Sequence, residues 1–236
     1  MAGESRVSCY IGVMLCRVAW LLICVMIGLS VPVTARASDA AGPEPKRRTV
    51  VVLGDSLAAG YGLDPSEAFP ALLQKKIDEA GWNFTVVNAG VSGDTTAGGL
   101  RRINWVLKQK VDVLVLELGG NDGLRGVPVA VTQTNLQAII DRVRAKNPQT
   151  RIIVAGMQMP PNVGEEYNRA FQKTFSDLAA TNQTALIPFI LEGVGGHPEL
   201  NQPDHIHPTA EGDKIVAENV WQVLKPELEK ISPAKS

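Results

Sequence analysis

Cysteine is missing from most of this chain: Cys9, Cys16 and Cys24 are the only three, and all lie near the N-terminus. Beyond residue 24 that excludes a disulfide, a thiol nucleophile and a cysteine metal site. Excess charge is also missing. The formal net charge is −1, so nothing pulls the molecule in bulk toward nucleic acid or an anionic membrane. No G-x-x-x-x-G-K-[ST] loop, G-x-G-x-x-G turn or H-E-x-x-H helix is present, and no internal repeat is visible. With 45% apolar and 20% charged residues in 236, the composition is that of a globular protein. A disordered chain, a collagen-like repeat and a polytopic membrane protein are excluded, and the length suits one domain of roughly 200 residues.

The one long apolar run, Val18 to Val33, follows Arg17 and precedes Ala35-Arg36-Ala37. A basic start, an apolar stretch and an A-x-A site predict a secretory signal peptide over residues 1–37, with Met14 an alternative start. The run is short for a membrane span, which needs about 20 apolar residues. Cleavage there leaves a cysteine-free chain with no integral membrane segment, periplasmic or secreted. Residues 38–48, rich in Ala, Gly, Pro and charge, are expected to be a flexible leader.

From Thr49 on, strands and helices alternate. Thr49–Leu53, Phe84–Val87, Val111–Leu118, Ile152–Ala155 and Ala185–Ile187 are expected strands. Asp64-Pro65-Ser66-Glu67 has the form of a capping box and predicts a helix start. A helix over about Thr96–Gln109 is expected next. Leu136, Ile139, Ile140 and Val143 recur at helical spacing before Pro148. Phe171, Phe175 and Leu178 mark another helix, and Val216, Val220, Val223 and Leu224 the last. All-apolar strands between helices predict a three-layer α/β/α domain over residues 49–236, with a five-stranded parallel sheet in flavodoxin-like order 2-1-3-4-5. In such a sheet the ligand sits beyond the carboxyl ends of the strands.

Those loops carry chemistry. Gly54-Asp55-Ser56-Leu57 follows the first strand, Asn88 to Thr95 the second and Gly119-Gly120-Asn121-Asp122 the third. Asp204-His205-Ile206-His207-Pro208 precedes the last helix. A serine at a strand-to-helix turn exposes its hydroxyl, and histidine is the base naturally poised near neutral pH. Asp204 stands three residues before His207, a spacing that lets a carboxylate reach one ring nitrogen and leave the other for serine. The Ser56 N–H, the Gly93 N–H and the Asn121 amide are the available oxyanion donors.

Together the four blocks resemble the SGNH, or GDSL, hydrolase family, in particular its bacterial arylesterase, thioesterase and lysophospholipase branch. The likeness runs from about Val50 to the last helix. It implies Ser56 as nucleophile, Asp204 and His207 as its partners, and Ser56, Gly93 and Asn121 as the oxyanion hole. One departure stands out: His205, where close relatives often carry a small residue. The resemblance implies a serine esterase acting on acyl or aryl esters, with lysophospholipids and acyl thioesters as further substrates. No cofactor or metal is implied, and the expected partner is a small ester or lipid. A polysaccharide or peptidoglycan O-acetyl esterase is the alternative, and a non-catalytic binding protein on the same fold the rival from another class. Met159 and Pro160, after strand four, are expected to wall the acyl chain, since methionine gives a deformable apolar surface and the paired prolines stiffen the loop.

Other residues have plainer readings. Ser56 alone would serve as a helix cap. Asp55 and Asp122 are expected to hold loops through backbone hydrogen bonds. Gly90 satisfies a turn, and Gly93 is preferred as donor by its family position. Glu117, inside an apolar strand, must be hydrogen-bonded if buried. His197 is expected in a loop near the entrance, and Trp82 and Trp105 in the core or on the surface. A metal site from Asp204, His205, His207 and His197 is the competing chemistry, but its spacing matches no known metal motif.

Overall fold

The computed structural model describes residues 47–232; the expected signal peptide, most of the leader and the last four residues lie outside the described residues. Five parallel strands, β1 (Arg48–Gly54), β2 (Phe84–Gly90), β3 (Val113–Glu117), β4 (Arg151–Ala155) and β5 (Ala185–Ile187), form one sheet. Their order is β2-β1-β3-β4-β5, as the alternation predicts. Central strands read as unbroken apolar runs because helices cover both faces: Val50 to Leu53 are fully buried, and all of β3 is buried. Edge strand β2 keeps polar positions such as half-buried Thr85 and exposed Asn88, and β5 is only three residues long. A short or polar edge limits pairing with other chains.

On one face α3 (Thr96–Val106) packs on α5 (Val129–Lys146), and α5 on α6 (Glu165–Asn182). On the other, α2 (Phe69–Glu79) packs on α7 (Ala210–Glu229). The helical apolar stripes are the buried ones: Leu136, Ile139, Ile140 and Val143 in α5, and Val216, Val220 and Leu224 in α7. Among the described residues no helix is long and apolar enough to cross a membrane.

Several boundaries differ from expectation: β3 is shorter than Val111–Leu118, α3 ends at Val106 rather than near Gln109, and three others have a structural cause. Arg48, assigned to the leader, is the first residue of β1, its N–H donating to the Asn83 carbonyl. β2 continues to Gly90 because β1 pairs with it through Gly54, so Asn88 to Gly90 are strand rather than loop. The Asp64–Glu67 box does form, with the Asp64 N–H donating to the Glu67 carboxylate and the Ser66 N–H to Asp64. It closes a turn on itself, and the helix begins later, at Phe69. The helix start is set from a distance: the buried Asp213 carboxylate on α7 accepts the Phe69 N–H at 3.0 Å. A carboxylate at a helix N-terminus satisfies an orphan donor and faces the positive end of the helix dipole.

Candidate active site

The carboxyl end of β1 turns at Gly54 and enters α1 (Ser56–Ala59). Only glycine fits at 54: an added Cβ would stand 2.3 Å from the Glu117 carboxyl and 2.5 Å from the Ala58 Cβ. Asp55 caps α1 by accepting the Leu57 N–H at 3.0 Å, and its own N–H donates to Glu117 Oε2 at 3.1 Å. Asp55 and Glu117 thus serve as loop-holding acceptors. Ser56 sits at the head of this turn, 8% exposed.

Asp204 to His207 form a surface turn ahead of α7. One Asp204 oxygen accepts the N–H groups of Ile206 and His207, both at 3.0 Å. The other lies 2.7 Å from His207 Nδ1, and His207 Nε2 lies 2.8 Å from Ser56 Oγ. Burial alone would raise the Asp204 pKa, but the His207 N–H, the His207 ring and the Ile206 N–H outweigh it and hold the carboxyl at about 2. An ionised carboxylate only accepts, so Nδ1 carries the proton and Nε2 is left to accept from the serine hydroxyl. A base is therefore presented to a hydroxyl with its tautomer fixed.

Asn121 is the second residue of the short helix α4 (Gly120–Leu124). Its Nδ2 donates to Asp55 Oδ2 at 3.0 Å, and its Oδ1 lies 3.5 Å from Arg125 Nη2. One amide hydrogen is thereby taken by Asp55 and the other is free for a ligand. Arg125 Nη2 also donates to the Gly93 carbonyl at 3.0 Å. Gly93 is exposed and has a φ of 82°, a left-handed conformation that costs glycine little. Arg102 secures this loop: it donates to Asp94 at 2.6 Å, to the Ala89 carbonyl at 2.7 Å and to the Gly54 carbonyl at 2.9 Å. Behind it, Asp122 accepts the Thr96 N–H at 2.8 Å and the Thr96 hydroxyl at 2.5 Å, joining the second and third loops. The N–H groups of Ser56 and Gly93 donate to no other group among the described residues. Asn121 is tied through Asp55 to the turn that carries Ser56, and Gly93 is tied to Asn121 through Arg125, a layout suited to presenting donors to a negative oxygen.

Burial raises the Asp55 carboxyl to about 6, against the downward pull of the Leu57 N–H, the Asn121 amide and the His207 charge, with Asp94 pushing it up further. Glu117 is raised well above the ordinary glutamate value, first by burial and then by the charge of Asp55. One Glu117 oxygen is buried with no partner among the described residues.

The remaining candidates separate from this centre. His205 projects to solvent from a backbone with φ 60°, and His197 pairs with Glu199 at 3.4 Å. Among the described residues no three His, Asp or Glu side chains are grouped so as to hold a metal. Met159 is buried with its sulfur against Gly123 of α4, while Pro160 is exposed. Met159 therefore lies under the helix that carries Asn121. Its backbone is clasped by Asn168, which accepts its N–H at 3.1 Å and donates to its carbonyl at 2.8 Å. Trp82 packs on Trp221 with ring centroids 5.8 Å apart, and Trp105 is on the surface. Arg102, Arg125, Gln202 and the ring of Tyr61 also contact the site, and nothing in the local sequence marks them.

Residues 52–215 match the model of the GDSL-like Lipase/Acylhydrolase family. Over 182 residues, 77% of this chain and 90% of the relative, the sequence is 46% identical to Esterase TesA of Pseudomonas aeruginosa. It is 40% identical over 179 residues (75% of this chain, 84% of the relative) to Thioesterase 1/protease 1/lysophospholipase L1 of Escherichia coli. Among solved structures, that of TesA superposes with a TM-score of 0.74 at 45% identity, covering 76% of this chain and 99% of that one. The psychrotrophic esterase EstA of Pseudoalteromonas, inhibited by monoethylphosphonate, gives 0.72 at 34% identity, covering 77% and 99%. Fold, site geometry and sequence likeness over three-quarters of its length agree: this chain belongs to the GDSL-like lipase/acylhydrolase family, the SGNH hydrolases.

Proposed function

We propose that this carboxylic ester hydrolase works through an acyl-enzyme on Ser56. The observation that carries the reading is the unbroken hydrogen-bonded chain from Asp204 through His207 to Ser56 Oγ, 2.7 and 2.8 Å long. His207 Nε2 takes the serine proton as Oγ bonds to the acyl carbon, and the carbonyl electron pair moves onto oxygen. The Ser56 N–H, the Gly93 N–H and the free Asn121 amide hydrogen stabilise that oxygen. Asp204 holds the imidazolium and remains ionised. When the carbonyl re-forms, the bond to the leaving oxygen or sulfur breaks and His207 returns the proton to it. Water, deprotonated by His207, then releases the acid and regenerates Ser56.

Acyl and aryl esters are the substrates we favour, with acyl thioesters and lysophospholipids beside them, because the named relatives include an esterase and a thioesterase/lysophospholipase. We place the acyl chain against the loop after β4, where Pro160 is exposed and Met159, buried beneath α4, backs that surface with an unbranched side chain that adjusts its rotamers. The signal-like N-terminus supports action in the periplasm or outside the cell.

The test is hydrolysis of p-nitrophenyl esters of increasing chain length by residues 38–236, beside Ser56→Ala and Met159→Ala. Ser56→Ala is expected to lose about 10⁴-fold or more in kcat. Full activity in that variant would overturn the serine mechanism. Unchanged chain-length preference in Met159→Ala would remove that residue from the acyl wall, and activity confined to acetyl esters would favour the glycan deacetylase reading.

A further inference from the structure

His207 stands on a turn whose residues Pro203 to Ile206 are all exposed, and to its imidazole its own loop supplies only Asp204. A base on such a turn needs another hold if it is to stay within 2.8 Å of a serine 151 positions away. The hold comes from the segment after α1. The ring of Tyr61 lies against the His207 imidazole, with centroids 4.5 Å apart and planes inclined by 38°. The Tyr61 N–H donates to the Ser56 carbonyl at 3.0 Å, so the ring is fixed to the backbone of the nucleophile itself. Gln202 straps the two segments together. Its side-chain amide donates to the Tyr61 carbonyl at 2.6 Å and to the Pro208 carbonyl at 2.9 Å, and its N–H donates to the His207 carbonyl at 2.7 Å. The fit is close, since a Cβ on Gly62 would stand 2.3 Å from Gln202 Oε1.

We propose that Tyr61 and Gln202 are positioning residues for the hydrolysis, a clamp that holds His207 over Ser56 and sets an aromatic face against the imidazolium formed when the serine proton moves. Family membership and Ser–His–Asp chemistry do not by themselves provide this, and the clamp rests on the acyl-enzyme reading above. The physical case has two parts. An aromatic face within about 6 Å of a cation attracts it through the ring quadrupole. That attraction grows only as the proton reaches Nε2, so it favours the transition state over the resting state. Gln202 adds orientation: without its amide, the two segments lose the side-chain bridge that spans 141 positions. The hydroxyl of Tyr61 is not required, because the contact is made by the ring.

The test compares Tyr61→Leu, Tyr61→Phe, Gln202→Met and Ser56→Ala, each with a thermal melt, a kcat and KM measurement on a p-nitrophenyl ester, and a rate of inactivation by a monoethylphosphonate ester. Tyr61→Leu is expected to lose about five- to tenfold in kcat and in inactivation rate, with KM within about twofold. Tyr61→Phe is expected to recover most of that loss. Gln202→Met, which leaves the ring in place and removes the strap, is expected to lose kcat by about threefold or more. The clamp is overturned if Tyr61→Leu keeps wild-type kcat and inactivation rate, or if only KM rises, which would make Tyr61 a substrate contact. It also fails if Tyr61→Phe is as impaired as Tyr61→Leu, because the hydroxyl would then be the working part. A Ser56→Ala variant that keeps its activity defeats the underlying mechanism instead, whatever the Tyr61 variants do.

Discussion

Asp55, next to Ser56 in the chain, and Asp204, linked to it through His207, are carboxyls set by opposite physical effects. Asp204 lies on an exposed turn, accepts two backbone N–H groups and a ring N–H, and is held at about 2 despite the opposing effect of burial. Asp55 is 2% exposed, accepts one N–H and one amide, and is raised to about 6 because burial dominates. The same side chain is thus a fixed anion on one side and a group that titrates near neutrality on the other. Hydrogen bonds decide the first case and desolvation the second. Ser56 rests on the buried β1 turn, to which Asn121 of α4 is tied through Asp55, whereas His207 is held at the surface by local hydrogen bonds and by the Tyr61 and Gln202 contacts. Precision at a buried seat comes from packing, while at an exposed turn it must be built from directional contacts.

Removing the anion on the exposed side gives the largest expected effect. Asp204→Asn keeps an acceptor for the turn but lets the amide donate to Nδ1, which stabilises the wrong tautomer. A kcat loss of about 10² to 10⁴-fold is expected by steady-state assay, and a loss under tenfold would mean that tautomer control lies elsewhere. On the buried side, Asp55→Asn leaves one oxygen to serve both Leu57 and Asn121. A kcat loss on the order of thirtyfold is expected, with KM little changed. In the unaltered protein, protonation of Asp55 removes an acceptor, so kcat is expected to fall as pH drops through about 6. Asp55→Asn should lose that component of the pH profile.

A third carboxyl extends the comparison to stability. Asp213, buried with one oxygen unpartnered, is raised to about 7 by burial, against the Phe69 N–H that lowers it. A carboxyl with a raised folded-state pKa binds its proton more tightly when folded. Stability is therefore greatest below the unfolded value near 4 and declines as pH rises through about 7. Asp213→Asn keeps an acceptor for Phe69 and is expected to gain roughly 1.5 kcal/mol over wild type at pH 8, shrinking toward pH 4, in paired denaturant titrations. Asp204 opposes this trend in acid, where its depressed pKa adds stability above about 4 that is lost as pH falls toward 2. The smallest effect concerns His205, whose left-handed φ of 60° strains any side chain. Relief of that strain exceeds glycine's entropic cost, so His205→Gly is expected to stabilise by about 0.5 kcal/mol with activity retained. A lower melting temperature would show that the imidazole makes a contact worth more than the strain.

Much of the site was legible because its parts are short and local. Ser56 closes a strand, the Asp204–His207 spacing fits one turn, and Asn121 follows a pair of glycines. The expected helix at Asp64–Glu67 was misplaced because its capping box satisfies itself, and the real start at Phe69 depends on Asp213, 144 positions away. Arg102 and Tyr61 gave no local signal either, since their partners come from other segments, and neither did the bond from Gln202 to Tyr61, 141 positions away. The burial of Met159 under α4 was not legible either, because it depends on the close approach that Gly123 allows.

By itself the sequence determined the strand order and the apolar faces, and it pointed to Ser56, His207 and Asp204. These follow from periodicity, turn chemistry and short spacings, which act over a few residues, whereas the choice of Gly93 rests on the family resemblance. Tertiary structure alone decided that Asp55 titrates near 6 and Asp204 near 2, that Asn121 is aimed by one carboxylate, and that Tyr61 covers the base. Burial and hydrogen-bond partnership arise only when distant segments pack together, and the electrostatics of a carboxyl depends on them more than on its place in the chain.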